Sequence, residues 1–374
     1  MIGIQRGDNT VVGRWWWTVD RSLLAALLGL MAIGLIMVII ASPSVAERID
    51  APTFHFVKRH LLLLPFAAAA MFVCSLMTPR QTRMAALALL VGSAIALVAT
   101  QVIGVEIKGA RRWIPIGGFS LQASEFAKPA MAVLAAWMLT QFRQRGDSGY
   151  LIAAFLVFII PFGLTAVQPD VGSSVVMTAV FGAQVFIAGI SLWFAGLMGM
   201  AALSGFGLAY LYVPHVTSRV DRFLDPASGD TYQIDMSLNA FRAGGLIGKG
   251  PGDGIIKGAL PDAHSDFIFA VAGEEFGLIA CVVIVAIFAF VVLRTFYRAL
   301  SDGGLFIMLS VSGLAAVFGS QALVNLGSTL ALIPTKGMTL PFISYGGSSL
   351  FALAIGMGFA LALTRKRLGP EDDA

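Results

Sequence analysis

The sequence predicts an all-α polytopic membrane protein with about ten transmembrane helices and one large extracytoplasmic loop between the seventh and the eighth. Three observations carry this. Charged residues make up only 12% of the chain and hydrophobic ones 57%, whereas a soluble domain carries roughly a quarter charged residues. The mean hydropathy is +0.84. Apolar runs long enough to cross a bilayer, which takes about 20 helical residues, recur along the whole chain.

In chain order the spans fall at 21–42, 60–77, 84–104, 124–142, 150–168, 172–189, 191–213, 267–293, 304–326 and 344–364. Residues 1–20 and 365–374 are tails around a single membrane domain, 21–364. The first span ends in Ser44-Val45-Ala46, which resembles a signal-peptidase site. Its apolar core exceeds the ~7–15 residues of a signal sequence, so it reads as an uncleaved helix. Trp15, Trp16 and Trp17 before it suit an interfacial anchor.

An even number of spans puts both termini on one side. That side collects most of the cations, from Arg14 and Arg21 through Arg80, Arg83, Arg143, Arg145, Arg294 and Arg298 to Arg365, Lys366 and Arg367. The positive-inside rule makes it cytoplasmic. Arg48, Lys58, Arg59, Lys108, Arg111, Arg112 and Lys336 remain in the opposite loops. Either they weaken that topology or they are kept there to meet something anionic.

The loop at about 214–265 is longer than the ~15 residues of an ordinary connection, and such loops are usually functional or disordered. In it, Ile234, Leu238, Phe241 and Leu246 form a stripe that predicts a short amphipathic helix lying at the interface. The glycine-rich GKGPGDGIIKG (248–258) follows, able to fold over a site. The two cysteines, Cys74 and Cys281, lie in apolar runs and suggest neither a disulfide nor a zinc site. No nucleotide-binding loop, HExxH or dinucleotide fingerprint occurs in a usable context, and nothing suggests a nucleic-acid partner.

Several constellations stand out against this background. In LPDAHSDFIFAVAGEEFG (260–277) four carboxylates and His264 fall together. Ser265 reads as an N-cap and Asp266 as a first-turn residue at the outer surface. A helix-dipole role, worth ~0.3–1 kcal/mol, accounts for one acid there. It does not account for Glu274 and Glu275, which a continuous helix carries about 12 Å further along, where acids are costly. Around that helix they point about 80° and 180° away from Asp266, so no glycosidase-like pair ~5–9.5 Å apart is available. Catalysis here works with one principal carboxylate, and Glu274 and Glu275 read as structural or relay groups.

In 106–130, Arg111 and Arg112 suit bidentate phosphate binding and Trp113 a lipid or sugar face; headgroup anchoring is the equal alternative. Ser124 reads as a cap, with Glu125 and Lys128 three apart as a structural ion pair. Asp170 in QPDVGSS (168–174) marks a tight helical turn. PTKGMTLPFISYGGSS (334–349) brings Lys336 before Gly346-Gly347, glycines that allow close helix packing.

Together GARRW (109–113), SEFAKPA (124–130), QPDVGSS, PDAHSDFIFAVAGEEFG and PTKGMTLPFISYGGSS resemble the signature segments of the SEDS family, the shape, elongation, division and sporulation proteins. The resemblance runs in order over the whole chain, and FHFVKRH (54–60) brings it nearer the division members. Two departures occur: Gln122-Ala123-Ser124-Glu125 stands where the family usually has Gln-Pro-Ser-Glu, and Pro261-Asp262-Ala263-His264 where it often has Pro-Glu-Ala-His.

The resemblance implies a ten-span peptidoglycan glycosyltransferase that polymerises lipid II outside the cytoplasmic membrane. Asp266 would be its catalytic acid, and Arg111, Arg112, Trp113, His264 and Lys336 would bind substrate. It implies pairing with a class B penicillin-binding transpeptidase and other division-complex membrane proteins, at the division septum. A divalent cation, Mg or Mn, could assist the pyrophosphate. A lipid II flippase and a non-catalytic division scaffold are the alternative functions.

Overall fold

A computed structural model describes residues 10–107, 110–190, 192–212, 214–225, 231–301, 304–334 and 337–366. Among these the chain forms fourteen helices and one small sheet. The ten predicted spans correspond to α2 (Arg21–Arg48), α3 (His55–Ser75), α4 (Pro79–Ile103), α5 (Ala123–Arg145), α6 (Ser148–Val167), α7 (Val171–Ile187), α8 (Leu192–Tyr212), α12 (Ile268–Ser301), α13 (Leu305–Thr329) and α14 (Gly347–Leu363). Six of them, α2, α3, α4, α6, α12 and α13, are long and apolar enough to cross a membrane; α7 and α14 are shorter apolar helices.

Local chemistry sets the boundaries. Thr78 and Gln81 form a reciprocal capping box with Pro79 at the first turn of α4, satisfying two orphan N–H groups. Gly146, at φ 70°, closes α5, and Asp147 immediately caps α6. That two-residue connection forces an antiparallel hairpin. Helix α5 lies at the centre, packed against α4, α6, α7, α13 and α14. Its many alanines, buried from Ala123 to Ala136, let five neighbours approach closely.

Four features differ from the sequence expectation. Within the N-terminal tail, Val11–Thr18 forms a helix, α1. It turns Trp15 inward, where Nε1 donates to Ser75 Oγ at 2.8 Å and the ring meets Phe72 edge-on. Trp15 is thus a core residue; Trp17 stays exposed, beneath the Arg21 guanidinium. Second, 105–121 folds as an antiparallel ribbon of β1 (Val105–Ile107), β2 (Ala110–Ile116) and β3 (Phe119–Leu121). Glu106 pairs with Arg111 across β1–β2, and Ile116 with Phe119 across β2–β3.

Third, the long loop contains α9 (Pro214–Leu224), α10 (Tyr232–Gly244) and α11 (Ile256–Ala259). Helix α10, the short helix the sequence predicts, docks on α12 with Ala240 and Gly244 buried and Phe241 of the stripe against Phe269 and Gly273; Ser237 donates to Thr329 O at the end of α13, and Leu246 is exposed. Small residues join the apolar stripe in this contact because they allow close backbone approach: a Cβ at Gly244 would lie 1.9 Å from Gly273 O.

Fourth, α12 is broken at Gly277 (φ 76°, ψ −174°). Beyond the break, residues 278–301 make about 36 Å of helix, enough alone for the ~30 Å hydrocarbon core. Glu274 and Glu275 therefore precede the crossing segment instead of lying 12 Å down it.

At the opposite end of the bundle, Asp20 caps α2 and accepts hydrogen bonds from Arg298 (2.6 Å) and Arg294 (2.8 Å) near the end of α12. Lys366 N, just past α14, donates to Thr18 O. The start of α2 and the ends of α12 and α14 thus share one side, as an even number of crossings requires.

Candidate active site

Asp266 is half-buried in the turn that leads into α12, two residues before its first helical residue. Ser265 is not its cap: the Ser265 hydroxyl donates back to Asp262 O, and Phe267 N also turns to that carbonyl. Two other elements grip this turn by three bonds. Asn325 of α13 donates to Asp266 O at 2.9 Å. Ser344 Oγ donates to Ser265 O, and Tyr345 N to His264 O. Both come from the 337–346 strap before α14, whose Gly337 faces the carboxylate; a Cβ there would be 3.1 Å from Asp266 Oδ2. Lys336, one residue earlier, lies outside the described residues.

Glu274 and Glu275 are fully buried, yet neither lacks partners. Glu274 accepts from Ile256 N (2.7 Å) and Lys257 N (2.8 Å). Glu275 accepts from Gly252 N and pairs with the Lys257 ammonium, both at 2.5 Å. Their backbone carbonyls, exposed by the helix break, accept from Lys249 N and Gly250 N. The two carboxylates converge on the glycine-rich loop, which wraps around both: Lys257 meets each of them, and a Cβ at Gly254 would lie 2.6 Å from Glu275 Oε1 and 2.8 Å from Glu274 Cδ. Arg48 Nη2 reaches Gly258 O, tying this loop to the outer end of α2.

The second wall of the site is the ribbon with the start of α5. Strand alternation separates the two arginines. Arg111 is exposed, 3.5 Å from the Glu106 carboxylate. Arg112 turns inward and donates to Gln168 O (3.2 Å) and Pro169 O (2.5 Å), with Asp170 at 3.9 Å. Asp170 caps α7 through Ser173 N and accepts from Gln122 Nε2 and Ser124 Oγ, both at 3.2 Å. Ser124 thus bonds across to α7 instead of capping α5, whose start has no side-chain cap. Trp113 is half-buried and shares the Arg111 face of the strand.

Deeper in, Lys128 is 1% exposed and pairs with Glu125 at 2.7 Å. Its ammonium also donates to Gln321 Oε1, and the Gln321 amide donates to Ser349 Oγ and to Thr339. A continuous polar chain therefore joins the α5 ion pair to the strap that faces Asp266.

His264 is 8% exposed, stacked on Phe56 with ring centroids 4.3 Å apart and beside Tyr345 at 5.3 Å. Burial pulls its pKa down to about 4, against a weaker opposing pull from Asp262; the ring is neutral at physiological pH. Burial also raises the Tyr345 phenol, outweighing the hydrogen bond from Arg59 that lowers it. Arg59 also lies over the Phe119 ring, so the α3 end, the strap and the ribbon meet there. Gln321, Asn325 and Tyr345 escaped the sequence reading, and Arg59 entered it only as one of several outer cations. The readable signal was two carboxamides one turn apart in an apolar run, which a membrane helix seldom carries without use.

Residues 20–368 match the model of the cell cycle protein family named for FtsW, RodA and SpoVE. The chain belongs to the SEDS family. Among SEDS relatives, the probable peptidoglycan glycosyltransferase FtsW of Caulobacter vibrioides is 44% identical over 97% of this chain and 94% of that protein. Its Coxiella burnetii counterpart is 37% identical over 93% and 96%. Of solved structures, a chain of a peptidoglycan synthase complex, described for its coordination of polymerization and crosslinking, superposes with TM-score 0.74 at 27% identity, covering 93% of this chain and 98% of that one. RodA of Thermus thermophilus superposes with TM-score 0.69 at 27% identity, over 93% and 97%.

Proposed function

We infer that this SEDS protein is a peptidoglycan glycosyltransferase of cell division that joins lipid II disaccharides into glycan strands at the outer membrane face. The observation that carries the mechanism is one carboxylate, Asp266, in a turn held by three bonds from α13 and the strap and facing a residue without a side chain, Gly337. Such a group suits a general base, because it is fixed yet approachable. It removes the proton from the acceptor sugar hydroxyl while that oxygen bonds to the donor's anomeric carbon. The carbon–oxygen bond to pyrophosphate breaks, and its electron pair leaves with the phosphate. That leaving group needs no general acid, which agrees with a site having one principal carboxylate.

Cations stabilise the charge that develops on the pyrophosphate. Arg112 is committed to the Gln168–Asp170 turn, so the exposed Arg111, with Trp113 on the same strand face, is the better candidate of the two arginines to bind it, and Lys336 remains a candidate from the sequence. Among the described residues no three His, Cys, Asp or Glu side chains converge to hold a metal.

The likeness to a synthase complex supports a transpeptidase partner, here of the class B penicillin-binding type, in the cytoplasmic membrane at the septum, with both termini inside. Reconstitution of the pair with lipid II separates polymerase, flippase and scaffold as polymer, translocation or neither. Asp266→Asn retains shape but not the proton acceptor, and lowers polymerisation by roughly 10²–10⁴-fold with folding, lipid II binding and partner binding intact. Polymerisation within a few-fold of wild type would end this mechanism.

A further inference from the structure

Two carboxamides stand one turn apart on α13, Gln321 and Asn325, each fully buried. An amide so buried contributes through the hydrogen bonds it makes, because an unpaired one costs several kcal/mol in a membrane interior. Asn325 spends both hydrogens of its Nδ2 on main-chain carbonyls: Asp266 at 2.9 Å and Met338 at 2.7 Å. Those carbonyls belong to the two segments that face each other across the site. One carries the Asp266 carboxylate, and the other carries Gly337, immediately before Met338.

Resting on the general-base reading above, we propose that Asn325 is a positioning residue for glycosyl transfer. A single amide group clamps the Asp266 turn and the Gly337 strap at a fixed separation and thereby sets where the carboxylate meets the acceptor hydroxyl. Gly337 is the other half of the device. A Cβ there would meet Oδ2 at 3.1 Å, tight enough that even a methyl group makes the carboxylate shift by a few tenths of an ångström. Gln321, one turn earlier, holds the same strap by Thr339 and Ser349 and joins it to Lys128. It makes no contact with the Asp266 turn. Asn325 therefore fixes the separation at Asp266 and Met338 themselves, the Ser344 and Tyr345 bonds hold the neighbouring residues of the same turn and strap, and Gln321 anchors the strap to the bundle.

The test is a double-mutant cycle with Asp266, read in single-turnover polymerisation of lipid II by the reconstituted chain and its transpeptidase partner. Asn325→Leu keeps the side-chain volume close and removes both donors. The expected result is a 10–100-fold loss of turnover, the scale of a small misplacement of a reacting group, with lipid II binding within about twofold of wild type. In the Asp266→Asn background Asn325→Leu produces no further loss, because the group it positions no longer accepts a proton.

Gly337→Ala acts on the same carboxylate from an exposed backbone position and also lowers turnover more than binding. It serves as the second probe if Asn325→Leu disturbs folding, and its loss likewise disappears in the Asp266→Asn background. Equal fractional losses in both backgrounds, or unchanged turnover in both single variants, overturn the positioning role and leave the general base standing. An Asp266→Asn single variant that polymerises normally overturns both.

Discussion

The sharpest structural test is Gly277→Ala. Gly277 combines φ 76° with ψ −174°, a region that only glycine adopts readily, and a side chain there costs ~1–3 kcal/mol in backbone strain. A Cβ would also meet Gly248 N at 2.4 Å and Leu246 O at 2.5 Å. Both are backbone atoms, so the loop must move as a unit. Moving it breaks the bonds from Leu278 N to Gly245 O, Ile279 N to Leu246 O, Lys249 N to Glu274 O and Gly250 N to Glu275 O. At about 1 kcal/mol net each, with partial compensation from water, the docked loop loses roughly 3–6 kcal/mol locally. Every 1.4 kcal/mol is a factor of ten, so the population with the loop released rises at least about a hundredfold. Trypsin reads this at Lys249 and Lys257 within the loop, in nanodiscs, before global unfolding. Polymerisation falls with it, because the loop encloses the outer piece of α12 that carries the Asp266 turn. Gly163→Ala, in α6 with no atoms within 4 Å, is the control and leaves both measurements unchanged. Wild-type tryptic rates in Gly277→Ala would refute the claim that this break holds the loop.

Two further perturbations probe the buried charges. Lys128→Met leaves Glu125 buried without its cation, although one of its oxygens already lacks a hydrogen-bond partner; thermal denaturation should show a loss of about 3–5 kcal/mol, and Glu125→Gln in the same chain should recover much of it. His264 is held neutral with a pKa near 4, below its unfolded value of about 6.5. Its contribution is thus complete above ~pH 6.5 and is lost as pH falls towards 4, on the order of 3 kcal/mol in all. His264→Phe retains the stack and removes that dependence, so stability measured between pH 6.5 and 4 should fall less steeply than in wild type.

How much of this was legible depended on what each feature costs in a membrane. Spans were readable because hydropathy over about 20 residues is a strong signal, and α5 was found despite its low apolarity because AMAVLAAWML (130–139) is an unbroken apolar run. The ribbon was not readable: β1 and β3 have three residues each, too few for alternation to show, and the Arg-Arg-Trp between them resembled headgroup chemistry. The break at Gly277 was hidden because one glycine in an apolar run suggests close packing equally well. Extrapolating α12 as one straight helix then placed Glu274 and Glu275 too deep. At the site, acids advertised themselves because a buried charge is expensive. Asn325 and Gln321 are neutral, cost less, and passed as helix filler. The direction of Arg112 needed the strand, since residues 111 and 112 point to opposite faces only in extended backbone.

The distribution of these side-chain bonds follows from the solvent. Between helices in a bilayer there is little hydrophobic drive, because lipid tails are as apolar as leucine. Apolar packing alone therefore places helices without fixing the turns that join them. Near Asp266 the turns are fixed by Asn325, Ser344 and the Tyr345 amide. At the ribbon the same work falls to Arg112 and to Ser348, which accepts from Gln122 N and donates to Ser120 O. Most of these bonds end on backbone carbonyls, so they specify chain position rather than a particular side chain. A loop held in this way tolerates changes such as Asp262 for glutamate or Ala123 for proline while the carboxylate stays in place. This explains why the two departures from the family pattern sit beside the site without removing any bond that holds Asp266.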